Sequence, residues 1–329
     1  MQFRLELNPT PSSVKLIPGE RIALMGSCFT THMAARLRTA KFPVLENPFG
    51  IVFNPITIAY QIGMLLERRK FANEDLFEAN ELFNSWHFHG SFSMPDANNA
   101  LEAMNGAVTS GHDFLQTADW LILTLGSAFT YRLHEGSANA ETGYAVANCH
   151  KVAANRFIHS IEPVQLLKVR LKEAVEACRK TNPAVKIVFT ISPVRHYREG
   201  LIENNRSKSA LHLAVMDLCN EMANTHYFPA YELVIDDLRD YRFYAEDLVH
   251  PNYAATDYVW EKFTNAYFDE AGKIFLDEIQ QLRLAVQHKP HHPGSALHQK
   301  FRSKMLDYSK NLQKKYPVLD FRDEICFFS

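Results

Sequence analysis

Three short apolar runs constrain what this chain can fold into. Residues 21–26, 120–125 and 186–191 are almost continuously hydrophobic, and each stops at a polar motif: Gly26-Ser-Cys28, Gly126-Ser127 and Ser192-Pro-Val-Arg-His196. Runs of this length without polar alternation read as strands covered on both faces. Between and around them lie segments with helical spacing of apolar residues, over 29–40, 56–69, 98–109, 162–180 and 205–223. Strand alternating with helix implies a mostly parallel sheet with helices on both sides, an α/β fold. In such sheets ligands collect outside the carboxyl ends of the strands. All three polar motifs stand at that end.

Two shorter strands are expected at Phe42 to Leu45 and within 226–235. Residues 71–118 and 133–160 read as irregular insertions, the first holding Trp86-His-Phe-His-Gly90 and the second Asn148-Cys-His-Lys151. After residue 269 the character changes. Residues 252–287 look helical, His288 to Gly294 reads as a linker, and 296–315 looks like a basic amphipathic helix. The reading is therefore one domain over 1–269 and a helical extension over 270–329. That extension would pack on the domain or on a second subunit, which makes a homodimer an expectation.

Bulk properties exclude several classes of function. The 329 residues carry a formal net charge of −2 with Lys and Arg scattered, so no nucleic-acid partner is expected. The first seven residues lack the regions of a signal peptide, and no apolar stretch is long enough for a bilayer, so no membrane partner is expected either. Five scattered cysteines without a CxxC pair suit a reducing cytoplasm. His87, His89 and His150 raise a metal reading, but no third ligand follows at a diagnostic spacing; neither a metal nor a cofactor is expected.

The chemistry concentrates in a few residues. Ser27 and Cys28 stand where a strand turns into a helix, so that free backbone N–H groups and the helix dipole could stabilise an oxyanion or lower the pKa of a thiol. The competing reading is a tight turn with Ser27 as helix cap. Asp247 and His250 are three residues apart, close enough for the carboxylate to hold one imidazole nitrogen while the other faces a nucleophile. Pro251 would open the next helix. Arg195 and His196 could bind an acidic group on a substrate, or Arg195 could ion-pair with Glu199 or Glu203 on the surface.

At these motifs the chain resembles a known family. Gly26-Ser-Cys-Phe-Thr30 is one residue from the signature of the GSCFA-domain proteins, a group placed near the SGNH (GDSL-like) hydrolases. The resemblance runs from about residue 20 to 265. It implies a three-layer α/β/α, flavodoxin-like domain and an esterase-like or acyltransferase-like site. Register against the SGNH blocks puts Cys28 at the nucleophile position and Ser27 where the family has Asp, with Ser27 as the alternative nucleophile. Asp247 and His250 match the Asp-x-x-His block, and Gly50 matches the oxyanion-hole glycine. At the third block Gly126 is present but its Asn is not, and Asn54, Asn148 or His150 could take that role. The implied partner is a small-molecule or carbohydrate ester. The alternative is a non-catalytic protein that holds an acidic or sugar ligand through Arg195, His196 and Lys208.

Overall fold

The computed structural model describes residues 4–134 and 144–329. Residues 1–3, where the signal-peptide reading begins, and 135–143, inside the second insertion, lie outside the described residues. The described strands are β1 (Ile22–Gly26), β2 (Val44–Glu46), β3 (Phe77–Ala79), β4 (Leu82–Asn84), β5 (Trp120–Leu125), β6 (Phe129–Leu133), β7 (Phe157–Ile161), β8 (Lys186–Ile191) and β9 (Thr225–Phe228). The described helices are α1 (Cys28–Thr39), α2 (Pro55–Leu66), α3 (Ala97–Leu115), α4 (Val164–Thr181), α5 (Leu201–Glu221), α6 (Ala230–Glu232), α7 (Tyr253–Tyr267), α8 (Glu270–Gln287), α9 (Ala296–Lys315) and α10 (Arg322–Phe328).

The central sheet has five parallel strands in the order β2-β1-β5-β8-β9. Counting its own strands, that is 2-1-3-4-5, the flavodoxin-type doubly wound order. Period-two alternation splits the apolar runs between two cores. Ala23, Met25, Leu121, Leu123 and Leu125 face α2, α3, α4 and α5. Ile22, Leu24, Trp120 and Ile122 face α1, α7, α8, α9 and α10. The three layers expected from the sequence are present, and the inner strands β1, β5 and β8 are buried on both sides.

The helices after residue 269 belong to this second core. Phe275, Ile279, Met305, Leu312, Phe321 and Phe328 pack in one cluster with Phe29, Leu37 and Phe42. No described helix is long and apolar enough to cross a membrane.

Three stretches differ from the sequence reading. The 71–118 segment is more ordered than an irregular insertion: β3 and β4 form an antiparallel hairpin, and α3 runs to Leu115 instead of ending near 109. Gly111 does not stop α3, because it packs directly against Leu65 of α2. The loop-rich stretch contributes β7, which pairs antiparallel with β6. The long sequence separation of these two strands hid the pairing. The strand in 226–235 ends at Phe228, since Pro229 turns the chain into α6 and the helical turn at Leu233–Leu238.

Candidate active site

The flavodoxin-type order reverses between β1 and β5, which opens a crevice at their carboxyl ends. β1 ends at Gly26 with φ 147°, and a Cβ there would lie 2.2 Å from the Thr124 carbonyl oxygen. Only glycine allows that approach. The Gly26 N–H donates to Asn47 Oδ1 at 2.8 Å, and the Ser27 N–H donates to the Thr124 carbonyl at 3.1 Å. The turn is thereby tied to both neighbouring strands.

Ser27 and Cys28 have separate roles in this turn. Ser27 is the N-cap of α1; its side chain is buried and accepts the Phe29 N–H at 3.3 Å. Cys28 is the first helical residue and is partly buried. The lowered thiol pKa expected at a helix start is not found. Burial pushes the Cys28 thiol above its ordinary value, and its own backbone N–H offsets this only in part. Desolvation here outweighs the helix terminus, so Cys28 rests as a thiol at neutral pH.

Asp247 and His250 are joined as expected, but by a turn and not a helix. His250 Nδ1–H donates to Asp247 Oδ2 at 2.6 Å, while Asp247 Oδ1 accepts the N–H groups of Val249 and His250 at 2.9 and 3.0 Å. The bonds from His250 and Val249 hold the Asp247 carboxyl down at about 2. Leu248 sits at φ 58°, which closes the turn. Pro251 does not open the next helix, because Asn252 caps α7 by accepting the Ala255 N–H at 3.1 Å. The His250 charge acts on His32, one turn beyond Cys28 on α1, and on His196 after β8. His250 thus lies within electrostatic reach of both α1 and the segment after β8.

Arg195 does not make the expected surface ion pair with Glu199 or Glu203. Its Nη1 donates to the Tyr241 hydroxyl at 2.9 Å, and its guanidinium lies 5.0 and 4.7 Å from the ring centres of Tyr241 and Tyr244. Its N–H donates to the Val249 carbonyl at 3.2 Å. Arg195 thus anchors the turn that carries Asp247 and His250. Glu203 pairs with Arg206 instead, and Glu199 with His159.

His196 is at the site. Its ring packs on Phe53 with centroids 4.5 Å apart, and its buried Nε2 has no hydrogen-bond partner. A Cβ on Gly126 would fall 3.0 Å from that Nε2 and 2.7 Å from Phe53 Cβ. The missing side chain at 126 is what admits both rings. Burial, Lys208 and His250 together push His196 down to about 3.

Several expected oxyanion donors are already engaged. The Gly50 N–H closes a turn on the Asn47 carbonyl at 2.7 Å, and the Gly126 N–H donates to the Phe53 carbonyl at 2.8 Å. Asn54 caps α2 through Oδ1, accepting from Ile56 and Thr57, and its Nδ2 donates to the Phe129 carbonyl. Asn148 Oδ1 accepts the His150 N–H at 2.7 Å. The His150 ring bonds the Ser85 carbonyl at 2.9 Å and packs on Trp86 and Phe77. Lys208, read as a ligand contact, is only 2 % exposed. His87, His89 and His150 do not converge, and among the described residues no three His, Cys, Asp or Glu side chains gather as a metal site.

Asn47, three residues before Gly50, has no role in the sequence reading. It follows β2, its Oδ1 holds the Gly26 N–H, and its Nδ2 is buried without a partner. An Asn directly after a short strand beside the nucleophile turn is the signal that could have revealed it. Beside the site, a groove of about 840 Å³ runs between α1, α7 and α8, lined by His32, Arg36, Tyr253, Trp260, Asp277 and Gln280 among others.

The buried histidines make a prediction about acid stability. His87 is held at about 4, mainly by burial, and His196 at about 3, against 6.5 for an unperturbed histidine. Between those values the unfolded chain binds protons that the folded chain does not, so stability falls as pH drops below 6.5. Each group is expected to contribute a loss on the order of 3 kcal/mol by pH 4. Thermal melts from pH 7.5 to 4 should fall steeply, and His87→Gln should flatten the slope. An unchanged slope would refute the assignment.

Comparison with known proteins places the chain in a family. The GSCFA family model matches residues 21–263, and the model for the C-terminal domain of GSCFA domain proteins matches residues 279–329. No curated protein matches the chain. Among solved structures, a carbohydrate esterase family 3 protein from Talaromyces cellulolyticus is similar at 9% identity and TM-score 0.35, over 80% of this chain and 99% of that one. An acetyl esterase mutant solved with acetate ion gives the same identity, TM-score and coverage. These likenesses are distant, and the architecture stands on the strand order itself. With matches over both segments, the chain belongs to the GSCFA family.

Proposed function

We propose that the protein hydrolyses or transfers an acyl group carried on an ester or thioester, with Cys28 as nucleophile. The observation that carries this reading is the Asp247–His250 pair, an imidazole held through Nδ1 by an ionised carboxylate at the same sheet end as Cys28. Its Nε2 is left to take the thiol proton as sulfur attacks the acyl carbon. The protonated imidazole then gives that proton to the leaving oxygen or sulfur. Water or an acceptor hydroxyl, deprotonated by the same imidazole, releases the acyl group from Cys28. The oxyanion is held by the Cys28 N–H and by Asn47 Nδ2, which stands in for the absent third-block Asn. The adjoining groove mixes aromatic rings with carboxylate, amide and guanidinium groups, which suits a hydroxyl-rich acyl carrier such as an acylated carbohydrate.

The test is direct trapping. Protein incubated with a short-chain p-nitrophenyl ester, quenched in acid and digested, should show the acyl group on the peptide containing Cys28. Iodoacetamide should block both the adduct and nitrophenol release, whereas a fluorophosphonate should label nothing. One observation favours a ligand-binding protein on the same fold: the N–H groups of Gly50 and Gly126 are already spent. That reading predicts no adduct on Cys28 and no nitrophenol release.

A further inference from the structure

One face of α5 carries three buried polar side chains, Asn204, Ser207 and Lys208, at 4 %, 1 % and 2 % exposure. The spacing i, i+3, i+4 puts them side by side. Asn204 Oδ1 accepts the His196 N–H at 2.9 Å. Ser207 Oγ accepts the Ala128 N–H at 2.7 Å and lies 3.1 Å from Ser127 Oγ. Lys208 Nζ donates to the Gly126 carbonyl at 2.6 Å and to the Ser192 carbonyl at 2.7 Å. The face thus grips the segment after β5 and the segment after β8 at once.

A lysine in this place is costly. It is fully buried, no carboxylate offsets its charge, and desolvation draws it down to about 7. A methionine would fill similar space without that cost, so packing alone does not account for the ammonium. What only an N–H-bearing head can do is hold two carbonyls at the ends of adjacent strands. Those carbonyls belong to Gly126, against which His196 Nε2 rests, and to Ser192, which opens the segment leading to His196.

We propose that Lys208, supported by Asn204 and Ser207, is a positioning residue that ties the loops after β5 and β8 together and fixes His196 between Phe53 and Gly126. The mechanistic part of this assignment rests on the acyl-transfer reading above. His196 sits near the imidazole that must accept the thiol proton. Held in this cradle and desolvated by it, His196 stays uncharged and does not compete for that proton. The charged or titratable groups acting on its ring are Lys208 from α5 and His250 from the turn before α7.

The test compares Lys208→Met and Asn204→Ala with the wild type, well below their melting temperatures. Two readouts are used: p-nitrophenyl acetate kinetics and the NMR titration of the His196 ring. Lys208→Met should lower kcat by about a hundredfold with KM nearly unchanged. The His196 midpoint should rise by about one pH unit or more. Asn204→Ala should lower kcat by a smaller factor with the same split, and it decides the matter if Lys208→Met does not fold. Unchanged kcat together with an unmoved His196 titration would overturn the assignment. Failure of the wild type to turn over any ester would instead remove the acyl-transfer reading; the His196 titration would then decide the positioning claim by itself.

Discussion

Cys28→Ala is expected to lower ester turnover by about 10⁴-fold or more, with the melting temperature little changed. The thiol leads α1 at the crevice. Ser27, beside it, should behave differently. Its hydroxyl is buried and already accepts the Phe29 N–H, so it has no free path to an acyl carbon. Ser27→Ala removes a helix cap and should cost about 1 kcal/mol of stability. The folded Ser27→Ala protein should keep most of its activity. Parallel kinetics and melts of the two variants separate the roles. A Cys28→Ala protein that retains wild-type kcat/KM would eliminate sulfur as the nucleophile.

Asp247→Asn is expected to be nearly as damaging, on the order of 10⁴-fold in kcat. Its carboxylate accepts from His250 Nδ1 and from two backbone N–H groups, so it selects the tautomer that leaves His250 Nε2 free for the thiol. An asparagine can satisfy the backbone N–H groups but cannot hold the imidazolium that forms during attack. Because the Asp247 carboxyl lies at about 2, it is ionised well below the range of the assay. The pH–rate profile of wild type should therefore show no limb from this carboxyl near 4, the ordinary carboxylate range. Activity in Asp247→Asn that recovered at high pH would contradict the role given to the carboxylate.

The backbone of the site was legible because strand and helix patterns are local. The runs at 21–26, 120–125 and 186–191 each became a strand of the parallel sheet, and the Gly26 turn lies where an apolar run meets a helix. Asp247 and His250 were legible for the same reason: a three-residue spacing is a local fact. What the sequence hid depends on distant partners. Asn54 looked like a free amide, but its Oδ1 caps α2 and its Nδ2 donates to the Phe129 carbonyl, while the Oδ1 of Asn148 is taken by the His150 N–H. The contact of Arg195 with the rings of Tyr241 and Tyr244, more than forty positions on, has no local signature either. The Cys28 thiol was misjudged because desolvation, unlike a helix start, has no signature in the neighbouring residues.

The burial of Cys28 also bears on chemical durability. Oxidants such as peroxides attack the thiolate, and the first product, a sulfenic acid, can be driven on to forms that cells do not readily reverse. A cysteine kept protonated by its surroundings offers little thiolate to such reagents. In this site the nucleophile would be charged only when an acyl group is in place and His250 takes the proton. The burial that raises the Cys28 thiol would thus spare the proposed nucleophile from oxidative damage between turnovers.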